Sequence, residues 1–92
     1  MSTRDYAALD QIIASVFDRI PARDVRLART AHAFGGTVEP TGWTATARVE
    51  RMGKRGQRLG RGVEELSGDG ESPEEAVDKL VQFYEWRRAG LV

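Results

Sequence analysis

With 92 residues, no cysteine, and fourteen basic side chains against fourteen acidic ones, the chain is sized for a single domain over 1–92 and is barred from disulfides, thiolate chemistry and cysteine-based zinc sites. Net neutrality removes any general pull towards nucleic acid or anionic membrane. The opening MSTRDYAALDQIIASVFDRI is interrupted by Arg4, Asp5, Asp10, Asp18 and Arg19, so neither a signal peptide nor a membrane span is expected, and a soluble cytoplasmic protein is the expectation.

Tyr6, Leu9, Ile13, Val16 and Ile20 recur at three- and four-residue intervals, widened by Ile12 and Phe17, which predicts an amphipathic helix from Thr3 to Arg19. Ser2 or Thr3 can accept from the free amides of the first turn, Asp5 suits the positive end of the dipole, and Pro21 ends the run. Residues 22–34 read two ways: Leu27, Ala31 and Phe34 fit a helical face, whereas His32, Phe34 and Val38 alternate as in a strand. The neighbouring segment favours the strand. Trp43, Ala45, Ala47 and Val49 alternate with Thr44, Thr46, Arg48 and Glu50, the pattern of a half-buried strand. Glu39-Pro40-Thr41-Gly42 just before it has the composition of a type I turn, which predicts a hairpin whose first strand is Thr30 to Val38, with Gly35-Gly36 inside it as a bulge or a close backbone approach.

Beyond Met52 the glycines at 53, 56, 60 and 62 predict a second turn, followed by a weaker strand around Leu59 to Leu66. A third strand is needed because an isolated hairpin is marginal in water. The closing SGDGESPEEAVDKLVQFYEWRRAG carries the signals of a capped helix: Ser72 as cap, Pro73 in the first turn, Glu74 and Glu75 at the positive end of the dipole, Arg87 and Arg88 at the negative end, Gly90 as stop. The fold expected is α+β: an N-terminal helix, a three-stranded antiparallel meander and a C-terminal helix, with both helices on one sheet face. Thr44, Thr46, Arg48 and Glu50 then lie on the open face.

Charge is concentrated in RMGKRGQRLGRG, from Arg51 to Gly62. Between Arg48 and Arg61, six basic residues (Arg48, Arg51, Lys54, Arg55, Arg58 and Arg61) stand against Glu50 alone, a net of +5. From Gly62 to Glu85, eight acids stand against Lys79 alone, a net of −7. The two blocks either neutralise each other across the fold or present a two-signed docking surface.

Within this run Gly53-Lys54-Arg55-Gly56 resembles the glycine-flanked basic loop of KH domains, where small residues let a nucleic-acid backbone approach. In that family the loop joins two helices, whereas here an alternating strand precedes it. The order helix, three strands, helix resembles that of double-stranded-RNA-binding domains, which grip phosphates with lysines at the start of the last helix. Here that position holds Glu74 and Glu75, which repel phosphate. GDGESPEEAVDKLVQF is similar to the strand-to-helix close of HicB-type antitoxins, over less than a fifth of the chain. The double-stranded-RNA-binding resemblance thus fails at the residues that carry function, the HicB-like segment is a generic capped helix start, and the KH-like match is four residues in a different structural context, so no family role is transferred.

No phosphate-binding P-loop or dinucleotide fingerprint is present. His32, the only histidine, has no partner at catalytic or metal-binding spacing and reads as structural. The adjacent carboxylates Glu64-Glu65 and Glu74-Glu75 diverge on a strand or helix rather than converging as an acid–base pair. Asp69, Glu71 and Glu75 lack the spacing of a calcium loop. No catalytic residue, metal or cofactor is therefore assigned.

Counting about 100° per residue along the last helix, Trp86 stands half a turn away from the apolar stripe of Val77, Leu80, Val81 and Tyr84, among Glu75, Lys79 and Gln82. A tryptophan there either folds over the helix end against Leu91 or the first helix, or anchors a partner. The function expected is a non-enzymatic binding protein, a regulator or inhibitor of a protein or nucleoprotein complex. In kind it resembles the phage-encoded antagonists of host defence or transcription complexes. The residues expected to dock are Arg48, Arg51, Lys54, Arg55, Arg58, Arg61, Trp86 and Arg87. The competing expectation is a nucleic-acid-binding module that sets the basic turn on phosphates, and a third is an enzyme whose site forms only on oligomerisation.

Overall fold

The chain folds as α1 (Thr3–Arg19), β1 (Ala22–Phe34), β2 (Thr37–Met52), β3 (Arg58–Gly70) and α2 (Pro73–Arg88). The structure is a computed structural model that describes residues 3–53 and 58–91, with side chains at 8–31, 33, 35–39, 41–53 and 62–91. The strands form one antiparallel sheet in the order β1-β2-β3. Alternation along β2 turns Ala45, Ala47 and Val49 to one face, where they are buried in a single cluster with Val16 and Ile20 of α1, Leu66 of β3, and Ala76, Val77, Leu80, Val81 and Tyr84 of α2. Both helices therefore cover the same side of the meander, as the hydrophobic pattern requires.

The helix-side residues of the sheet are small for a reason. Ala45 pairs in register with Gly68, and a methyl group built on Gly68 would stand 2.6 Å from the Ala76 carbonyl oxygen and 2.8 Å from the Lys79 carbonyl carbon. At Gly70 it would meet the Ala76 amide nitrogen at 2.6 Å. The backbone of α2 thus rests directly on the backbone of β3, and only glycine permits that approach. Ser72 caps α2, its hydroxyl accepting the Glu75 amide at 3.1 Å, with Pro73 opening the helix. The two helices are tied by Arg19, which donates to Asp78 Oδ1 at 2.8 Å.

The first hairpin departs from the sequence expectation. Residues 22–34 are strand throughout, the turn is Gly35-Gly36, and Glu39-Pro40-Thr41-Gly42 lies inside β2. Gly35 and Gly36 have φ of 57° and 86°, the consecutive left-handed pair that a two-residue hairpin demands. The bulge falls instead at Thr41, where the register shifts from Thr30↔Gly42 to Ala31↔Pro40. Proline is tolerated in β2 because β3 leaves it at Trp43↔Gly70, so residues 37–41 form an edge. The third strand is also longer than Leu59 to Leu66, since it runs on to Gly70 beneath α2.

One consequence is a two-stranded arm, residues 30–34 with 37–42, which among the described residues pairs with no further strand. Ala31, Ala33, Thr37, Val38, Glu39 and Thr41 on it are all exposed. The arm lengthens the molecule: the radius of gyration is 14.8 Å, against about 12 Å for a compact domain of this length.

Candidate functional site at the basic end

The end of the sheet opposite the arm gathers the basic residues. Glu50 pairs with Val63 and Met52 with Arg58, so Arg51 alone faces four residues of β3, Leu59 to Gly62. Gly62, at φ 78°, allows this bulge, and the exposed Arg51 side chain lies over it, its Nε 3.6 Å from where a methyl group on Gly62 would stand. Glu64 stabilises the distorted end: its Oε1 accepts the Met52 amide at 2.9 Å, doing what a ladder carbonyl does elsewhere. Lys54 and Arg55 lie outside the described residues. Arg58 and Arg61 are placed by their backbones in β3, at the turn and in the bulge.

Arg87 fastens the last turn of α2 to this end. Its Nη1 donates to the Gly53 carbonyl at 2.9 Å, its Nη2 to the Met52 carbonyl, and its Nε to Glu64 Oε2 at 3.3 Å. The Arg87 and Glu64 side chains are only 20% and 21% exposed. Arg87 is thus placed as a clamp turned into the fold, with its donors engaged there. Trp86 and Arg88 flank it on the outer surface, Trp86 44% exposed and Arg88 exposed with its Nη1 3.5 Å from the Tyr84 hydroxyl. The structure therefore brings Arg51, the backbones of Arg58 and Arg61, Trp86 and Arg88 to one end of the molecule.

Arg48 stands on the open face, as its alternation requires, and is engaged there. Its Nε donates to Asp24 Oδ2 at 2.6 Å, with a second contact from Nη2 to the same oxygen. Arg26 sits 3.7 Å from Glu65, and Thr44 donates to Asp69 Oδ1 at 2.7 Å. The open face is a mixed-charge ladder whose arginines have partners within the sheet. The hydrogen bond from Arg48 holds the Asp24 carboxyl below its ordinary value; the charges of Arg48 and Arg26 add to this, and desolvation opposes it. A depressed carboxylate stabilises the fold above its unfolded-state pKa, and that contribution is lost as pH falls through the lower folded value. Asp24→Asn should accordingly lower stability slightly at neutral pH, the pair being exposed, and leave it nearly unchanged at acid pH, which flattens the acid-side slope. Urea midpoints at about pH 7 and about pH 3 measure this.

Helix geometry alone indicates that Trp86 faces outward, and it does. With rather more than half of its surface covered, Trp86→Ala should cost about 1 kcal/mol of stability, well short of the roughly 3 kcal/mol or more of a core aromatic. Thermal melting of the variant checks this.

Among the described residues, no group of three His, Asp or Glu side chains converges on a metal position, and no helix is long and apolar enough to cross a membrane. No family model, curated protein or solved structure matches the chain.

Proposed function

We propose that the protein is a non-enzymatic binding protein of the regulator or inhibitor type, at work in the cytoplasm, that docks on a protein or nucleoprotein partner through its basic end, with the adjoining open sheet face as the rim of the contact. In kind it is similar to phage-encoded antagonists of host defence or nucleoprotein complexes. The observation that carries this reading is the fastening by Arg87, which sets Trp86 and Arg88 beside the root of the basic hairpin. A partly exposed tryptophan among arginines is the composition in which binding energy concentrates. Arginine also supplies twelve of the fourteen basic residues and matches carboxylates and phosphates with two donors at once.

A mixed-sign surface favours a protein or nucleoprotein over bare nucleic acid. Glu50 and Glu65 interleave with the basic positions and would face phosphates with like charge. Titration of bare RNA and DNA against salt separates the readings. A module that neutralises about four phosphates gives a log–log slope near −3 to −4, which would establish direct nucleic-acid binding through the basic turn. The docking reading predicts no measurable binding at about 50 mM salt. Replacing Arg51, Lys54, Arg55, Arg58 and Arg61 with alanine should cost about 0.5 kcal/mol or less per residue in stability, so lost binding would report the surface and not the fold.

A further inference from the structure

The arm leaves one strand edge open beside a cleft. β3 stops at the Trp43↔Gly70 pair and the chain turns into α2 past Gly42, so β2 residues 37–41 have β1 on one side and, among the described residues, no strand on the other. Where β3 departs, a cleft of about 400 Å³ is lined by Thr30, Thr41, Trp43, Asp69, Glu71 and Glu75. A second, of about 250 Å³, shares Thr41, Trp43 and Glu71 with it and adds Arg29. The Arg29 guanidinium already lies 5.9 Å from the centre of the Trp43 ring, within the range of cation–π attraction. The Glu71 and Glu75 carboxylates have no partner among the described residues, and Val38 on the arm is 67% exposed.

We propose that this edge is a second docking site, independent of the basic end, which takes an extended basic segment of a protein partner as a fourth strand. The segment continues the line of β3 along residues 37–41, and its Lys or Arg side chain enters the cleft between the Trp43 ring and the Glu71 and Glu75 carboxylates. Three observations converge. A ribbon of two strands is marginal in water and gains most from a third neighbour. Backbone pairing along an open edge is the general mode by which sheets capture extended peptides. The unpaired carboxylates and an aromatic ring that already faces one guanidinium select a cation over an anion or a neutral side chain. Alternate residues of an antiparallel strand face opposite sides, so with Thr37 and Glu39 turned to β1 the pairing rests on the Val38 N–H and C=O and on the Pro40 C=O, Pro40 having no donor to give.

The test uses the Trp86→Phe protein, in which Trp43 is the only tryptophan, and the peptide acetyl-Ser-Arg-Val-Arg-Val-Ser-amide, with versions carrying Gln or Glu in place of Arg. The arginine peptide should change Trp43 fluorescence saturably and slow exchange of the Val38 amide, the one donor that alternation turns to the open side of this edge. The glutamine peptide and the Glu71→Gln/Glu75→Gln variant should each bind about tenfold more weakly, as the loss of two modest surface ion pairs allows. Both carboxylates are exposed, so melting of the variant should stay within a few degrees of the parent. No saturation by about 1 mM peptide, equal binding of the arginine and glutamine peptides, or binding without amide protection would each overturn the proposal. So would concentration-dependent dimerisation in sedimentation that protects the same amide, since the edge would then belong to a second copy of the chain.

Discussion

Gly68→Ala is expected to lower the melting temperature by roughly 12 to 24 °C, corresponding to about 3 kcal/mol in a domain of this size. The added methyl group would fall 2.6 Å from the Ala76 carbonyl oxygen and 2.8 Å from the Lys79 carbonyl carbon. Those are backbone atoms in the middle of α2, so no side-chain rotation relieves the contact and the helix must lift. Lifting it separates Ala76, Val77, Leu80 and Val81 from Ala45, Ala47 and Leu66, the centre of the core. Ser67→Ala, one residue away on the open face, removes no such packing and should change stability by about 0.5 kcal/mol or less. A drop below about 4 °C for Gly68→Ala would mean that α2 does not rest on β3 at this distance.

The second large effect is at Arg87. Alanine there removes three donor contacts at once, leaving the Met52 and Gly53 carbonyls without this partner and the Glu64 carboxylate, 21% exposed, without its cation. A half-buried carboxylate stripped of its partner carries a desolvation cost that water only partly relieves, so about 2 kcal/mol of stability should be lost. Arg87→Lys should recover less than half of it, because an ammonium cannot span two carbonyls and a carboxylate as the planar fork does. Chemical denaturation of the three proteins measures the series. Faster exchange of the Met52 amide in the alanine variant would locate the loosening at the end of β2.

Much of this architecture was legible in the chain because its signals are local. The period of α1, the alternation of Trp43 to Glu50, and the Ser72, Pro73 and Gly90 punctuation of α2 each sit within a few residues. Features that depend on distant partners were not legible. Gly35-Gly36 and Glu39-Pro40-Thr41-Gly42 both have turn composition, and what separates them is the long pairing of residues 22–34 with 37–49, which neither segment declares alone. Gly68 and Gly70 look like loop residues, yet they end a strand because a helix must lie against them.

At the basic end, the outward face of Trp86 follows from helix geometry, whereas Arg87 was expected to dock a partner and is found as an internal clamp. A signal for that placement was present. Arg87 stands three residues after Tyr84 and seven after Leu80, on the buried stripe, where a guanidinium must find acceptors within the fold. Its acceptors lie 23 to 35 positions away, and no spacing rule names them.

The most direct measurement is a capture comparison from nuclease-treated lysate, with the native protein on one support and the Arg51, Lys54, Arg55, Arg58 and Arg61 alanine variant on another, after matched melting curves show both folded. Docking through the basic end predicts a stoichiometric partner held by the native protein after nuclease and absent from the variant. The same partner retained equally on both supports would contradict it.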